Sequence, residues 1–175
     1  IRDQLTRLTQ MTNQLLNLSR LEEDDKSKYS FEDFSLNEVC EHAANDFQAS
    51  FIKEDIKFSY NFANDLHLYG NKFLINDLIH IFLDNSVKYT GGTSKKSYFV
   101  VSENKGKIEF KFSNTIDKDD KVDVKHIMER FYRSPSHKNE GSGIGLSVAQ
   151  EIINLHKGKI SINKSNSTLT FIISF

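Results

Sequence analysis

The chain has 175 residues, 38% of them hydrophobic and 27% charged, with a net charge of −1, which fits one globular domain with a sizeable core. The near-neutral balance excludes a bulk electrostatic surface for nucleic acid or an anionic membrane, so a phosphate would have to be held by local geometry. The single cysteine, Cys40, excludes an internal disulfide and a cysteine-rich zinc site; the six histidines lack metal-ligand spacing, no apolar run approaches transmembrane length, and no stretch of the sequence reads as a signal peptide.

Ile1–Glu23 carries Leu5, Leu8, Met11, Leu15 and Leu18 at spacings of three and four with no Gly or Pro, which predicts a helix with a narrow apolar stripe. Such a stripe suits a coiled-coil or bundle seam, or packing against the chain's own domain. The helix opens without a cap, as expected of a piece cut from a longer chain, and the charged Glu22–Lys28 reads as a linker. The expected division is therefore a helical appendage over residues 1–25 and a domain over residues 26–175.

Tyr29–Phe34 alternates like a strand, and Ser35 with Glu38 matches a capping box opening a helix through Leu36, Val39, Cys40, Ala43 and Phe47. Cys40 reads there as a packing residue rather than a nucleophile. Ile56–Phe62 alternates as a half-buried strand, and Leu66–Tyr69 forms a short one closed by Gly70. Asn71 is the expected cap of a helix to Tyr89 whose buried side is Leu74, Leu78, Ile81, Phe82 and Val87. Tyr98–Val101 and Lys107–Phe112 pair around Asn104–Gly106, Thr115–Lys121 is irregular, and Val124–Phe131 reads as a short helix. A polar loop, Arg133–Glu140, precedes a helix to His156 that Lys157–Gly158 ends with a glycine cap, and strands at Ile160–Asn163 and Leu169–Phe175 close the chain. The sum is an α+β fold: a two-layer sandwich of about three helices on a mixed, mostly antiparallel sheet.

Two constellations carry chemistry. In NEGSGIGLSVAQ, Gly141, Gly143 and Gly145 recur at every second position and run into a helix. Glycines let backbone N–H groups approach an anion, and the helix start adds unpaired donors. The same spacing also suits a hinge before a core helix. The second constellation ends IHIFLDNSVKYT, where Asn85 and Lys88 are three apart on one helix face. An amide oxygen beside an ammonium suits a phosphate chain with its Mg²⁺, which needs few protein ligands; an ordinary polar helix end would look alike.

LDNSVKYT resembles the N box of sensor histidine kinases of the GHKL superfamily, IMERFYRS their F box, and GSGIGLSVAQEIINLHKGKI their second glycine box with the helix and strand after it. LLNLSRLEEDD is similar to the end of their second dimerization helix, and LHLYGNKFLINDLI to the segment leading into the N box. The resemblance implies a Bergerat-type sandwich holding ATP between the N-box helix and a lid over roughly Ile116–Glu140. It implies Asn85 as the Mg²⁺ ligand, Lys88 and Tyr89 in the nucleotide pocket, and Phe131 and Arg133 in the F box, with Arg133 able to meet a terminal phosphate. It further implies nucleotide contact from Gly141, Ser142, Gly143, Ile144, Gly145 and Leu146. Asn85, Lys88 and Arg133 are then the catalytic candidates.

The chain departs from that family in three places. Where the family's first glycine box has Asp-x-Gly-x-Gly, this chain has Asn114, Ile116 and Lys118, so adenine is expected to meet an uncharged acceptor in Asn114 and the lid to have a stiffer near hinge. Four residues before Asn85 stands Ile81, where sensor histidine kinases often carry a second asparagine and hydrolysing relatives a glutamate base. Isoleucine cannot accept a proton, which argues against an ATPase; His80 or Asp84 would be the only substitutes nearby. No histidine sits in the context of a phosphoacceptor, so that residue is expected upstream, on a dimerization helix of the same or a partner subunit. The implied function is transfer of the γ-phosphate of Mg·ATP to that histidine for relay to a response regulator, in a homodimer anchored at the bacterial plasma membrane with this part in the cytoplasm. The alternatives are a degenerate, poorly binding scaffold domain and a GHKL-type ATPase.

Overall fold

The computed structural model describes residues 29–132 and 142–175, together with Ser19. Apart from Ser19, the expected helix Ile1–Glu23, its linker and the loop with Arg133 and Gly141 fall outside the described residues.

Among the described residues, three helices cover one face of a five-stranded sheet. The helices are α1 (Leu36–Lys53), α2 (Lys72–Tyr89) and α3 (Gly145–Leu155). In sheet order the strands are β2 (Lys57–Phe62), β4 (Lys96–Asn104), β5 (Lys107–Thr115), β7 (Thr168–Ser174) and β6 (Lys159–Ser165). Only β2 and β4 pair in parallel; the other neighbours are antiparallel. A separate antiparallel pair joins β1 (Glu32–Ser35) to β3 (His67–Gly70). This is the expected mixed, mostly antiparallel two-layer sandwich. Alternation along the central strands supplies the core: Phe99 and Val101 on β4, Phe110 and Phe112 on β5, and Phe171 and Ile173 on β7 are all buried. Phe112 stacks between Phe99 (4.5 Å) and Phe82 of α2 (4.8 Å), which seats α2 on the sheet centre.

The cap of α2 is as expected, with Asn71 Oδ1 accepting the Leu74 N–H at 2.9 Å. Its buried side is broader and rotated from the expected one. Ile75, Leu78, Ile79, Phe82, Leu83 and Ser86 are buried, while Leu74, Ile81 and Val87 are only partly so. The helix lies between α1 and α3 and over the sheet, so more than one stripe is covered.

Three local expectations are corrected. Ser35 precedes α1, but its side chain makes no capping bond. It still pairs with His67 in the β1–β3 ladder, and the Leu36 N–H goes to Leu66 O, so tertiary pairing replaces the capping box. Val124–Phe131 is a run of turns rather than a helix. The N–H groups of His126, Glu129 and Tyr132 bond to carbonyls three residues back, and the Asp123 carboxylate captures Lys125 N and the His126 ring. At the end of α3 the left-handed residue is Lys157 (φ +57°), not Gly158. Gly158 is needed for space instead, since a Cβ there would fall 2.6 Å from the Phe175 ring. Cys40 is buried as expected, and burial pushes its thiol pKa up, so it stays a neutral packing group.

Candidate nucleotide site

A cleft opens where α2 ends and α3 begins, closed below by β5 and β7 and at the side by the segment 116–132. Both helices bring their polar termini to it. The last turns of α2 deliver Asp84, Asn85, Lys88 and Tyr89 to the cleft wall. Asn85 and Lys88 share that wall as their spacing requires, and the Lys88 ammonium is held by Asp84 Oδ2 at 2.5 Å. Thr90 ends the helix, donating its N–H and its hydroxyl to Ser86 O.

From the other side α3 presents its first turn. Gly145 and Leu146 line the cleft; the N-cap residue Ile144 makes no side-chain cap bond and itself donates its N–H to Ser142 Oγ at 3.2 Å, so the first N–H donors of α3 and its positive dipole end lie at the opening. The glycines are unequal. Gly143 has φ +70°, and a Cβ there would fall 2.8 Å from the Phe131 backbone; Phe131 N in turn donates to Gly143 O at 2.8 Å. The F-box and glycine-box backbones therefore touch, and only a residue without a side chain fits. At Gly145 an added Cβ would make only ordinary contact with Ile81, so that position has room.

The floor is apolar, formed by Phe82, Ile116, Leu169 and Phe171, which suits the flat face of a base. Asn114 sits in this floor, buried to 4% exposure. Its Nδ2 donates to Thr115 O at 3.2 Å, which leaves Oδ1 as the acceptor for a ligand amino group. The degraded glycine box has become an anchor. Ile116 is buried and bonds through its N–H to Ser167 O, and Asp117 Oδ1 accepts the Gly92 N–H at 2.8 Å.

Of the sequence-predicted residues, Asn85, Lys88, Tyr89, Asn114, Ser142, Gly143, Gly145 and Leu146 line one cleft. Ile144 does not line it; it is buried beneath, its carbonyl accepting Val148 N and the Ser147 hydroxyl. Phe131 is 58% exposed and outside the lining, bound to the site through its backbone alone. Arg133 and Gly141 lie outside the described residues. His80, weighed as a substitute base, points instead toward α1, with its Nε2 3.6 Å from Asp46 Oδ2 and its ring edge-on to Phe47. Ile81 does line the cleft, so the position of a hydrolytic base is occupied by hydrocarbon.

Sequence reasoning missed Asp120, Val122, Ile127 and Tyr132, all in the lining. Ile127 and Tyr132 lie within the recognised IMERFYRS, so the signal was present; nothing in a charged DKDDKVD run marks Asp120 as a residue only 2% exposed. Among the described residues no group of three or more His, Cys, Asp or Glu is arranged to hold a metal ion. A divalent ion here would be held by Asn85 together with nucleotide oxygens, which suits Mg²⁺.

An α/β sandwich with a helix-terminus cleft of this kind defines a nucleotide-binding domain by form. Residues 70–175 match the family described as histidine kinase-, DNA gyrase B- and HSP90-like ATPase, and the chain belongs to it. It is 28% identical over 156 residues to the sensor protein DltS of Streptococcus agalactiae serotype III, covering 88% of this chain but 39% of that protein. In fold it is similar to the Acinetobacter baumannii histidine kinase AdeS, with a TM-score of 0.80, 18% identity, and coverage of 99% of this chain and 80% of that one. It is also similar to histidine kinase ThkA in the solved complex with the response regulator protein TrrA, with a TM-score of 0.74, 21% identity, and coverage of 99% and 48%. The expected family and fold are thus both found.

Proposed function

We propose that this chain is the ATP-binding catalytic domain of a sensor histidine kinase, passing the γ-phosphate of ATP to a histidine on an upstream dimerization helix. The observation that carries the reading is the cleft itself: Asn85 and Lys88 face the uncapped start of α3, with Asn114 in an apolar floor and Ile81 where a hydrolytic base would stand. A neutral imidazole nitrogen is already nucleophilic, so the transfer needs positioning and charge neutralisation rather than a base. Asn114 would accept from the adenine amino group, the α3 N–H donors and Lys88 would meet phosphate oxygens, and Asn85 would hold Mg²⁺. The bound ion would supply charge neutralisation on the phosphate chain. Arg133 would add a charge-assisted contact to the terminal phosphate. The Lys88–Asp84 pair holds the ammonium on the cleft wall that also carries Asn85.

The response regulator and a second copy of the chain are the expected partners, the former by analogy with ThkA and TrrA. The parent is expected to be membrane-anchored; among the described residues no helix is long and apolar enough to cross a membrane. The test is calorimetric titration with a non-hydrolysable ATP analogue, with and without Mg²⁺. Micromolar, magnesium-dependent binding is expected. No binding up to millimolar concentration would reject the kinase reading and leave a scaffold domain. Steady ATP turnover by the isolated chain would instead favour a hydrolase.

A further inference from the structure

At the ends of α2 and α3 remote from the cleft, three segments meet on one histidine. His156 follows the last residue of α3. Its Nε2 lies 3.0 Å from the backbone N of Asn71, and its Nδ1 lies 2.8 Å from Ile152 O. The Asn71 N–H can only donate, so Nε2 is a bare acceptor; Nδ1 then carries the proton and donates to Ile152 O. The ring is thereby one neutral tautomer. It packs against Phe31 (4.9 Å between centroids) and Phe175 (5.9 Å). A Cβ on Gly70 would fall 2.7 Å from His156 Cδ2, so glycine there is what lets the ring reach Asn71.

Asn71 is 8% exposed, and each of its polar groups is engaged. Its N–H goes to His156, its Oδ1 takes the Leu74 N–H, its Nδ2 donates to Ser30 O at 2.9 Å, and its carbonyl takes the Ile75 N–H. One residue thus ties the start of α2 to the end of α3 and to the strap Ser30–Phe31. The two helices run in opposite senses between this junction and the cleft. α2 starts at the junction and ends at Asn85–Tyr89; α3 starts at Gly145 in the cleft and ends at the junction. An 18-residue helix is about 27 Å long and stiff along its axis, so a pin at one end sets the axial offset at the other.

We propose that His156 is a positioning residue for the nucleotide site. Through Asn71 it fixes how far α2 stands along α3, and hence the separation of Asn85 from the α3 N–H donors, and it ties that separation to the strap through which residues 1–28 join the domain. The proposal rests on the nucleotide-binding reading above.

The test uses the whole 175-residue chain with two variants. His156→Gln keeps an acceptor at the reach of Nε2. His156→Phe keeps a ring between Phe31 and Phe175 but leaves the Asn71 N–H without its acceptor. Affinity for a non-hydrolysable ATP analogue with Mg²⁺ is measured well below each melting temperature, beside the melting temperature itself. His156→Phe is expected to weaken binding roughly three- to tenfold, the worth of one hydrogen bond, and His156→Gln to restore most of it. A folded His156→Phe chain that melts lower but binds equally well overturns the proposal. Should that variant not fold, the unaltered chain decides by nitrogen-15 NMR. Saturation with nucleotide is expected to shift the Asn71 amide and His156 Nε2 resonances, and a silent junction in a chain that binds overturns the pin alone. An unaltered chain that does not bind at all removes the nucleotide reading and the pin together.

Discussion

The two sides of the cleft are built in different ways. The α2 side is a long helix with Ile75, Ile79 and Leu83 fully buried between its neighbours, and it presents its polar residues from a packed rod. The opposite side, residues 116–132, has no regular element. Two of its side chains, Ile116 and Ile127, reach the core, and the rest is held by individual bonds: Ile116 N to Ser167 O, Asp117 to Gly92 N, the Lys164 ammonium to Asp120 O, and Asp123 N to the Tyr132 hydroxyl. Most of these involve polar groups at or near the surface, each worth about 1 kcal/mol, whereas burying one leucine contributes roughly twice that or more. A cleft with one stiff wall and one lightly held wall can keep the polar residues of α2 in register while the other wall adjusts.

The sharpest way to break that contrast is a core truncation behind the stiff wall. Leu83→Ala removes a side chain with no solvent exposure and is expected to cost about 2–5 kcal/mol in denaturant unfolding. A loss below about 1 kcal/mol would mean that α2 is not the packed element described here. Asn85→Ala tests the chemistry of the same wall without touching its packing. Magnesium-dependent nucleotide affinity is expected to fall by about ten- to a hundredfold with little change in melting temperature, as for a lost contact to a charged group. Unchanged affinity would reject Asn85 as the metal ligand.

The contrast also explains what could be read from the chain alone. The stiff wall was legible because its signals are local: Asn71 caps three residues on, and Asn85 and Lys88 share a face by spacing. The lightly held wall was not. Val124–Phe131 has a helix-like apolar spacing, but Asp123 captures the N–H of Lys125 and the ring of His126, and the chain turns instead. Ser35 fits a capping box until the β1–β3 ladder, formed with residues 32 positions away, claims its backbone. Three alternating glycines look equivalent in sequence, yet Gly143 alone among the described ones meets another backbone, at Phe131. In sequence His156 marks only the end of a helix; its link to Asn71 spans 85 positions, beyond any local pattern.

Where the two walls meet the floor, Asn114→Asp sharpens the comparison by placing a charged acceptor at the proposed adenine contact. Affinity for an adenine nucleotide is expected to rise by about three- to tenfold, since a charged acceptor roughly doubles the strength of the hydrogen bond. The lost contact to Thr115 O is long, 3.2 Å, and joins adjacent residues, so it subtracts little. No gain in affinity would mean that Asn114 does not face the base.

The smallest effect expected is a pH response confined to the lightly held wall. Asp123 donates nothing when ionised and accepts from His126 and from Lys125 N; the hydrogen bond to His126 first, then that to Lys125 N, draws its pKa below 3.8. The same Asp123 hydrogen bond, with the charges of Asp123 and Glu129 behind it, raises His126 above 6.5. The signs are opposite. The contribution of His126 is complete below 6.5 and is lost as the pH rises through its raised folded value. The contribution of Asp123 is complete above 3.8 and is lost as the pH falls through its lowered one. Both groups are at the surface, so salt and water weaken the pair and the response should be slight. Hydrogen exchange corrected for its intrinsic pH dependence should therefore show residues 123–132 opening more readily at about pH 8 than at about pH 5.5, while α2 holds its protection at both. His126→Gln should abolish the difference. An equal change in α2, or a response that survives the substitution, would mean that the two walls open as one unit and that the His126–Asp123 pair does not hold the turn.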